Sequence, residues 1–544
     1  LTSQLQAGYL DCRNDNETQW VIDLDVDHML VDFSMYFSGD GGYYNPITVN
    51  GQNYIGGTDK TGDAAWGDRS QEQSATLGDH NTITVTNIAG GSIYAANVAS
   101  TSNRSSISGF QVVLMDLYES VLTSGSNSAS ALTFSKGGSG TATALQNIDA
   151  EERYLSVSGH TDNTSTLALD ADIKGLQLES GTVTLTSAQV VERLHAKKDA
   201  VLNIDTAISG NELTLSGQGE INIGSRLTLD KLVLQGGAQV TIDAKDSSAN
   251  SNSTGMITGV IEILGDSMLT LGTGEEAGGW DHLGWGSSTH TDKILLRGVA
   301  GRDDESHKIA TLKLNSRQTC STPIVMEGYA AVIGNGGTSN NNTTDKLQLH
   351  DGASITASGI HNTISCEFNL NKDATVTVVN AGDWLDITGK MTGSNKLTKK
   401  GAGTLTVSSD AHTGNIEVSA GTLKFGGVAA SATNNSSRKI TVNTGASLDV
   451  NGKARHYEVV MNQGATLTNT GSAIAGEERQ LHTITLNGDA TVSGTGNFYL
   501  INSQYHTTYL NLNRHTLTKT GTNTFYLKNS GEVACDVLTE LRID

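Results

Sequence analysis

The sequence predicts an all-β chain, a right-handed parallel β-helix (β-solenoid) preceded by a β-sandwich-like domain. Three features predict it. Short runs alternate apolar and polar residues between Gly, Asn and Asp turns. A turn-plus-run unit recurs about every 19 to 25 residues. No segment carries the 3.6-residue apolar period of an amphipathic helix. With 544 residues, 62 Gly and only 2 Pro, the chain suits an elongated array that never needs one large core.

The N-terminal part, residues 1–119, reads as sheet of a different kind. Trp20, Ile22, Leu24 and Val26 alternate with Asp23, Asp25 and Asp27. The apolar phase then moves by one residue to Met29, Val31, Phe33, Met35 and Phe37, which predicts a bulge or tight turn near Asp27 and His28. Bulkier strands follow at ITVTNIAGG (83–91) and ISGFQVVLMDL (107–117), and the latter resembles the end of a jelly-roll or carbohydrate-binding-module-like sandwich. The Ser- and Gly-rich stretch near 120–140 marks a linker or first rung, and the β-helix is expected over 141–544.

Within the helix the unit is a small-residue turn followed by an alternating run: KKDAVLNID (197–205), QGGAQVTID (235–243), DGASITAS (351–358), KDATVTVV (372–379), NTGASLDVNG (443–452), NQGATLTNTG (462–471) and NGDATVSGTG (487–496). The turn alanines fix the period: 19 residues from Ala446 to Ala465, 25 from Ala465 to Ala490, 21 from Ala353 to Ala374, and 38, two periods of 19, from Ala200 to Ala238. In KLTKKGAGTLTVSSDAHTGNIEVSAGTLKFGG (396–427), alternation points Leu405, Val407, Ile416, Val418, Leu423 and Phe425 inward and Thr404, Thr406, Glu417 and Lys424 to water.

Charge narrows the function. The net charge is −22, scattered along the chain, so nucleic acid and anionic membrane surfaces are repelled at neutral pH. Protonation of the 14 His below about pH 6 would confine any anion binding to acid. No apolar run reaches the roughly 20 residues of a membrane helix, so no insertion is expected.

Candidate sites are few. In GGWDHLGWG (278–286) Trp280 and Trp285 sit among glycines outside any alternating run, where indole faces suit sugar C–H surfaces and Asp281 and His282 suit hydroxyls. The competing reading is a Trp that plugs a gap in the rod. Asp23, Asp25 and Asp27 share one strand face, so calcium is possible there; otherwise they are a solvated face, and no other cofactor is expected. An aspartic-type site needs two carboxylates in Asp-Thr/Ser-Gly turns, and the nearest approaches nominate Asp205 (Ile204-Asp205-Thr206-Ala207) and Asp386 (Leu385-Asp386-Ile387-Thr388-Gly389), with rung-corner turns as the alternative role. No HEXXH, G-x-S-x-G or phosphate-loop motif occurs. Cys320 and Cys366 are 46 residues apart; if residues 334–345 are an inserted loop of 12, the remaining 34 permit stacking on adjacent rungs and a disulfide, the alternative being two small core residues.

The 396–427 stretch resembles the autotransporter-associated β-strand repeat, with its Leu-Thr-Lys-x-Gly-x-Gly-Thr-Leu opening and Gly-Thr-Leu close, and HTLTKTGTNTFYL (515–527) resembles a degenerate second copy. That resemblance implies a parallel β-helix that is secreted or displayed on the cell surface of a Gram-negative type of bacterium. Two functions follow as expectations. One is binding of a glycan or glycoprotein such as mucin. The alternative is a secreted hydrolase of mucin or polysaccharide, of aspartic-protease or glycan-cleaving type, so whether the chain is an enzyme stays open.

Overall fold

The structure is a computed structural model. It describes residues 3–5, 10–12, 21–36, 44–49, 52–57, 75–78, 82–97, 105–107, 109–114, 118–123, 131–134, 154–158, 165–169, 173–187, 191–243, 259–272, 283, 291–299, 307–315, 318–334, 346–350, 353–360, 362–410, 412, 414–426, 438–452, 458–471, 483–501, 509–528 and 541–543. All regular structure among the described residues is strand. The chain divides into two compact units, one of Leu1–Thr273, Thr289–Thr291 and Leu296–Leu312, the other of Gly274–Ser288, Asp292–Leu295 and Lys313–Asp544.

The first unit opens with an antiparallel sheet. Ser3–Leu5, Gly109–Leu114, Val21–Tyr36, Thr82–Asn97, Tyr44–Val49 and Gln52–Gly57 lie side by side in that order, and Ala75–Gly78 also pairs with Thr82–Asn97. Val26 pairs with Gly91 but Leu30 with Ala89, so extra residues are inserted at 27–29, where the sequence predicted the change of phase. Beyond the bulge Val31, Phe33 and Met35 are fully buried and pack with Val49, Val85, Ile93 and Ala95.

Parallel pairing begins at Tyr118–Thr123. In the first unit one ladder stacks Tyr118–Thr123, Tyr154–Ser158, Ile173–Ser180, Val191–Ala196, Ile208–Ser216, Leu227–Leu234 and Val260–Leu264. The other stacks Ala131–Phe134, Ser165–Leu169, Thr182–Ser187, Val201–Ile204, Glu220–Ile223, Gln239–Ile242 and Met268–Leu271. Strands alternate between the ladders along the chain, which is a solenoid: a parallel neighbour can be reached only by going once around the coil. The register carries the 19-residue period, Val201 pairing with Glu220 and Glu220 with Gln239. Asp199 makes the corner before one such strand at φ 67°, a conformation Asp tolerates better than most side chains. Leu202, Ile221, Val240 and Leu269 then form one inward column, each essentially inaccessible.

The second unit follows the same logic. Ser354 pairs with Thr375 at 21 residues, Ser447 with Thr466 at 19 and Thr466 with Thr491 at 25, the intervals between the turn alanines. Strand Trp384–Gly393 bends around a corner, its first part pairing with Asn362–Ile364 and its last with Glu367–Leu370. Leu385, Leu405, Leu423, Leu448, Leu467 and Val492 stack as one buried column. Burying one such side chain stabilises by about 1.5–3 kcal/mol, so each coil contributes a similar increment. All six residues assigned inward in the 396–427 stretch are buried, while Thr404, Thr406, Glu417 and Lys424 are half-exposed.

Among the described residues no helix is long and apolar enough to cross a membrane. The expected disulfide is corrected: Cys320 and Cys366 are both buried thiols that are not joined in a disulfide. Cys320 pairs with Leu349, and Leu349 with Leu370, so the column through Cys320 reaches its second step four residues beyond Cys366. Residues 334–345 fall between Cys320 and Leu349, which pair directly although 29 residues apart. The Cys320 thiol instead donates to the Thr322 carbonyl at 3.3 Å, the role of a small core residue.

Candidate functional site

Period-2 alternation in Trp384-Leu385-Asp386-Ile387 sends Leu385 and Ile387 into the core. Trp384 and Asp386 must then project from the outer face. Parallel pairing extends each into a column. Trp384 is followed by Thr404, Thr422 and Ser447, and Asp386 by Thr406, Lys424 and Asp449. The first column as far as Thr422 and the second as far as Asp449, together with Ile360, Ala381, Gly382 and Asp383, line a groove of about 660 Å³.

The groove combines an exposed indole with fixed polar groups. Trp384 is 36 % exposed and Ile360 43 %, so an apolar lip stands beside a polar floor. Asp383 is held by its own turn: Oδ2 accepts from the Asn380 backbone N–H at 2.8 Å and from its side-chain amide at 3.0 Å. Asp449, 3 % exposed, accepts from the backbone N–H of Asn451 at 2.9 Å and of Thr470 at 3.0 Å, and from the Thr470 hydroxyl at 2.6 Å. Lys424 Nζ lies 3.7 Å from its Oδ2. Asp386 is half-buried, and its Oδ1 accepts no hydrogen bond among the described residues. Such a surface can stack a flat apolar face on the indole and exchange hydrogen bonds with hydroxyls along the columns.

Of the residues nominated from sequence, Asp386 lies in this groove. Asp205 belongs to the first unit, where it follows strand Val201–Ile204 as an exposed corner residue whose N–H donates to the Leu185 carbonyl. Trp280, Asp281, His282 and Trp285 lie outside the described residues, as do the side chains of Asp23, Asp25 and Asp27. Between the two tryptophans Leu283 is buried, its N–H donating to Gln318 Oε1 at 3.2 Å. Among the described residues no three His, Cys, Asp or Glu side chains converge on a metal-sized site.

Trp384 and Lys424 were missed as site residues, although the signal was present. A Trp in an outward position of an alternating run has no core to fill and is a surface aromatic by construction. Compared with family models, curated proteins and solved structures, the chain finds no match in any of the three.

Proposed function

We propose that this is an exported β-helix protein of the autotransporter-passenger kind that binds glycan chains, free or on glycoproteins such as mucin, in the groove headed by Trp384. The carrying observation is the exposed indole beside outward columns of Thr, Asp and Lys on a rigid sheet. Sites on strands hold their groups more firmly than sites on loops, which limits the ordering a sugar must impose when it binds. A jelly-roll-like N-terminal part and sugar stacking by Trp280 and Trp285 would belong to the same reading, as would display at the surface of a Gram-negative type of cell.

Binding is favoured over hydrolysis by spacing. Asp386 and Asp449 are three ladder steps apart, and at about 4.8 Å per step their backbones are separated by about 14 Å. Glycosidase carboxylates stand about 5–9.5 Å apart, and an aspartic dyad shares one proton at contact distance. The Asp449 and Asp383 carboxylates are moreover already committed as acceptors.

The test is a glycan array read with the wild type and with Trp384→Ala. Loss of the stacking face should weaken binding about tenfold, the equivalent of about 1.4 kcal/mol, with an unchanged thermal midpoint. Binding unaffected by Trp384→Ala but abolished by Trp280→Ala/Trp285→Ala would move the site to the 278–286 loop.

A further inference from the structure

The columns that form the groove do not stop at its far end. After Trp384, Thr404, Thr422 and Ser447, the register continues through Thr466, Thr491 and Thr518. Six successive coils therefore present a hydroxyl at the same outward position, all half-exposed. At about 4.8 Å per coil the line runs about 29 Å from the indole. Beside it the second column continues from Asp449 to Thr468 and Ser493, also uncharged.

We infer that the ligand is a neutral linear polysaccharide laid lengthwise along this hydroxyl column, one end stacked on Trp384. The inference rests on the glycan reading of the groove and adds to it the charge and direction of the polymer.

Charge selects the neutral class. Between Trp384 and Thr518 the cation in these two columns is Lys424, and it is paired with Asp449 at 3.7 Å. Asp383, Asp386 and Asp449 line the same groove, and the whole chain carries −22. A uronic, sialylated or sulfated chain needs unpaired cations to offset this field, and the columns supply none. Hydroxyls suit a neutral sugar because each side can donate or accept, and a repeating ligand meets a repeating surface. A peptide adding as a strand is disfavoured, since every strand from Thr404–Asp410 to Ala490–Gly494 is already paired on both sides.

Titration calorimetry with neutral β-linked gluco-oligosaccharides, from disaccharide to octasaccharide, and with oligogalacturonides of matching length tests the inference. Affinity for the neutral series should rise at least about tenfold from the shortest to the longest, and the acidic series should bind more weakly at every length. The double variant Thr466→Val/Thr491→Val, which keeps shape and strand preference, should lower octasaccharide affinity to that of shorter chains while leaving the disaccharide unchanged. Trp384→Ala should weaken all lengths. Length-independent binding, or tighter binding of the acidic series, overturns the inference while leaving a glycan site at Trp384. Absence of binding by both series in the wild type removes the groove reading and this inference with it.

Discussion

The Lys399 ammonium donates to the carbonyl of Ala420, one coil further along the solenoid, at 3.0 Å. It also donates to the carbonyls of Lys400 and Gly401, each at 2.8 Å. Lys399 occupies an inward position, between Val376 and Val418 in the ladder, and is fully buried. Its stem fills the apolar column while its head ties two neighbouring corners together.

Replacing Lys399 with Met should therefore destabilise by about 1–3 kcal/mol at pH 7, because three carbonyls lose their donor while the packing is kept. Burial pushes the Lys399 ammonium down to about 8. Between about pH 8 and the ordinary lysine value near 10.4, the unfolded chain holds the proton that the folded chain has released, so stability rises with pH across that window. Measured by urea midpoints, the wild type should gain on Lys399→Met from pH 7.5 to 10 by on the order of 1–2 kcal/mol. A constant difference across that range would refute the role of the buried amine. Lys519 takes a comparable inward position in the other ladder, paired with Val492, and bonds the carbonyls of Thr520 at 2.6 Å and Gly521 at 3.2 Å. It is half-exposed, so Lys519→Met should cost less than Lys399→Met.

The turn alanines made the coil period legible. Ala446, Ala465 and Ala490 mark the start of runs that pair in the predicted order, because a small residue at each corner and period-2 alternation after it are both local signals. The Asp27–His28 phase change was legible for the same reason. Lys399 was not, since a charged residue at an inward position contradicts the alternation and is explained only by carbonyls on a neighbouring coil. Cys320 and Cys366 failed for a non-local reason as well: which coil absorbs an insertion decides every later register, and sequence spacing alone does not say which. The Trp384 groove needed that register too, because its lining residues span Ile360 to Asp449 and converge only when successive coils stack.

Corner glycines should divide into two classes. Gly401 sits at φ 75°, and a Cβ there would lie 2.0 Å from the Val378 carbonyl oxygen of the preceding coil. Gly445 has a similar φ of 72°, but a Cβ there would meet nothing within 4 Å. Gly445→Ala should cost only the left-handed strain, about 1–2 kcal/mol. Gly401→Ala adds a clash with backbone that cannot move without parting two rungs, so its loss should be clearly larger in denaturant melts. Equal losses would mean that coil spacing is softer than the ladder implies.

Glu179 offers an acid-side counterpart in the first unit. Its burial raises the carboxyl, but Lys197, whose Nζ lies 2.7 Å away, together with the Ser156 hydroxyl and the Gln177 amide, outweighs that and holds it below the ordinary range. A lowered folded value means that the stabilisation is present above the unfolded value near 4.3 and is lost as pH falls through the folded one. Glu179→Gln should cost about 1 kcal/mol or less at pH 7, given partial exposure, and the cost should shrink as pH falls below the ordinary carboxylate range. The gap between the melting temperatures of the two proteins should narrow as the pH is lowered from 7 into the acid range.

Asp449 and Lys424 form an ion pair at 3.7 Å, yet the two partners should differ widely in what their loss costs. Asp449 is buried and takes three further hydrogen bonds, from the N–H groups of Asn451 and Thr470 and from the Thr470 hydroxyl. These bonds fix the corner that leads from one coil to the next. Lys424 is about one-third exposed and holds its end of the pair against water. Removing Lys424 leaves the carboxylate with its three donors, so Lys424→Met should cost under about 1 kcal/mol. Removing the carboxylate leaves buried donors without an acceptor, so Asp449→Ala should cost about 3 kcal/mol or more. Asp449→Asn should fall between, because an amide oxygen in the Oδ1 position can still accept from both N–H groups while the NH₂ replaces the oxygen that accepted from the Thr470 hydroxyl and paired with Lys424. Urea midpoints of the three variants should follow that order. If Lys424→Met proved as costly as Asp449→Ala, the ion pair and not the corner would be what holds Asp449, and the groove floor would depend on a surface cation.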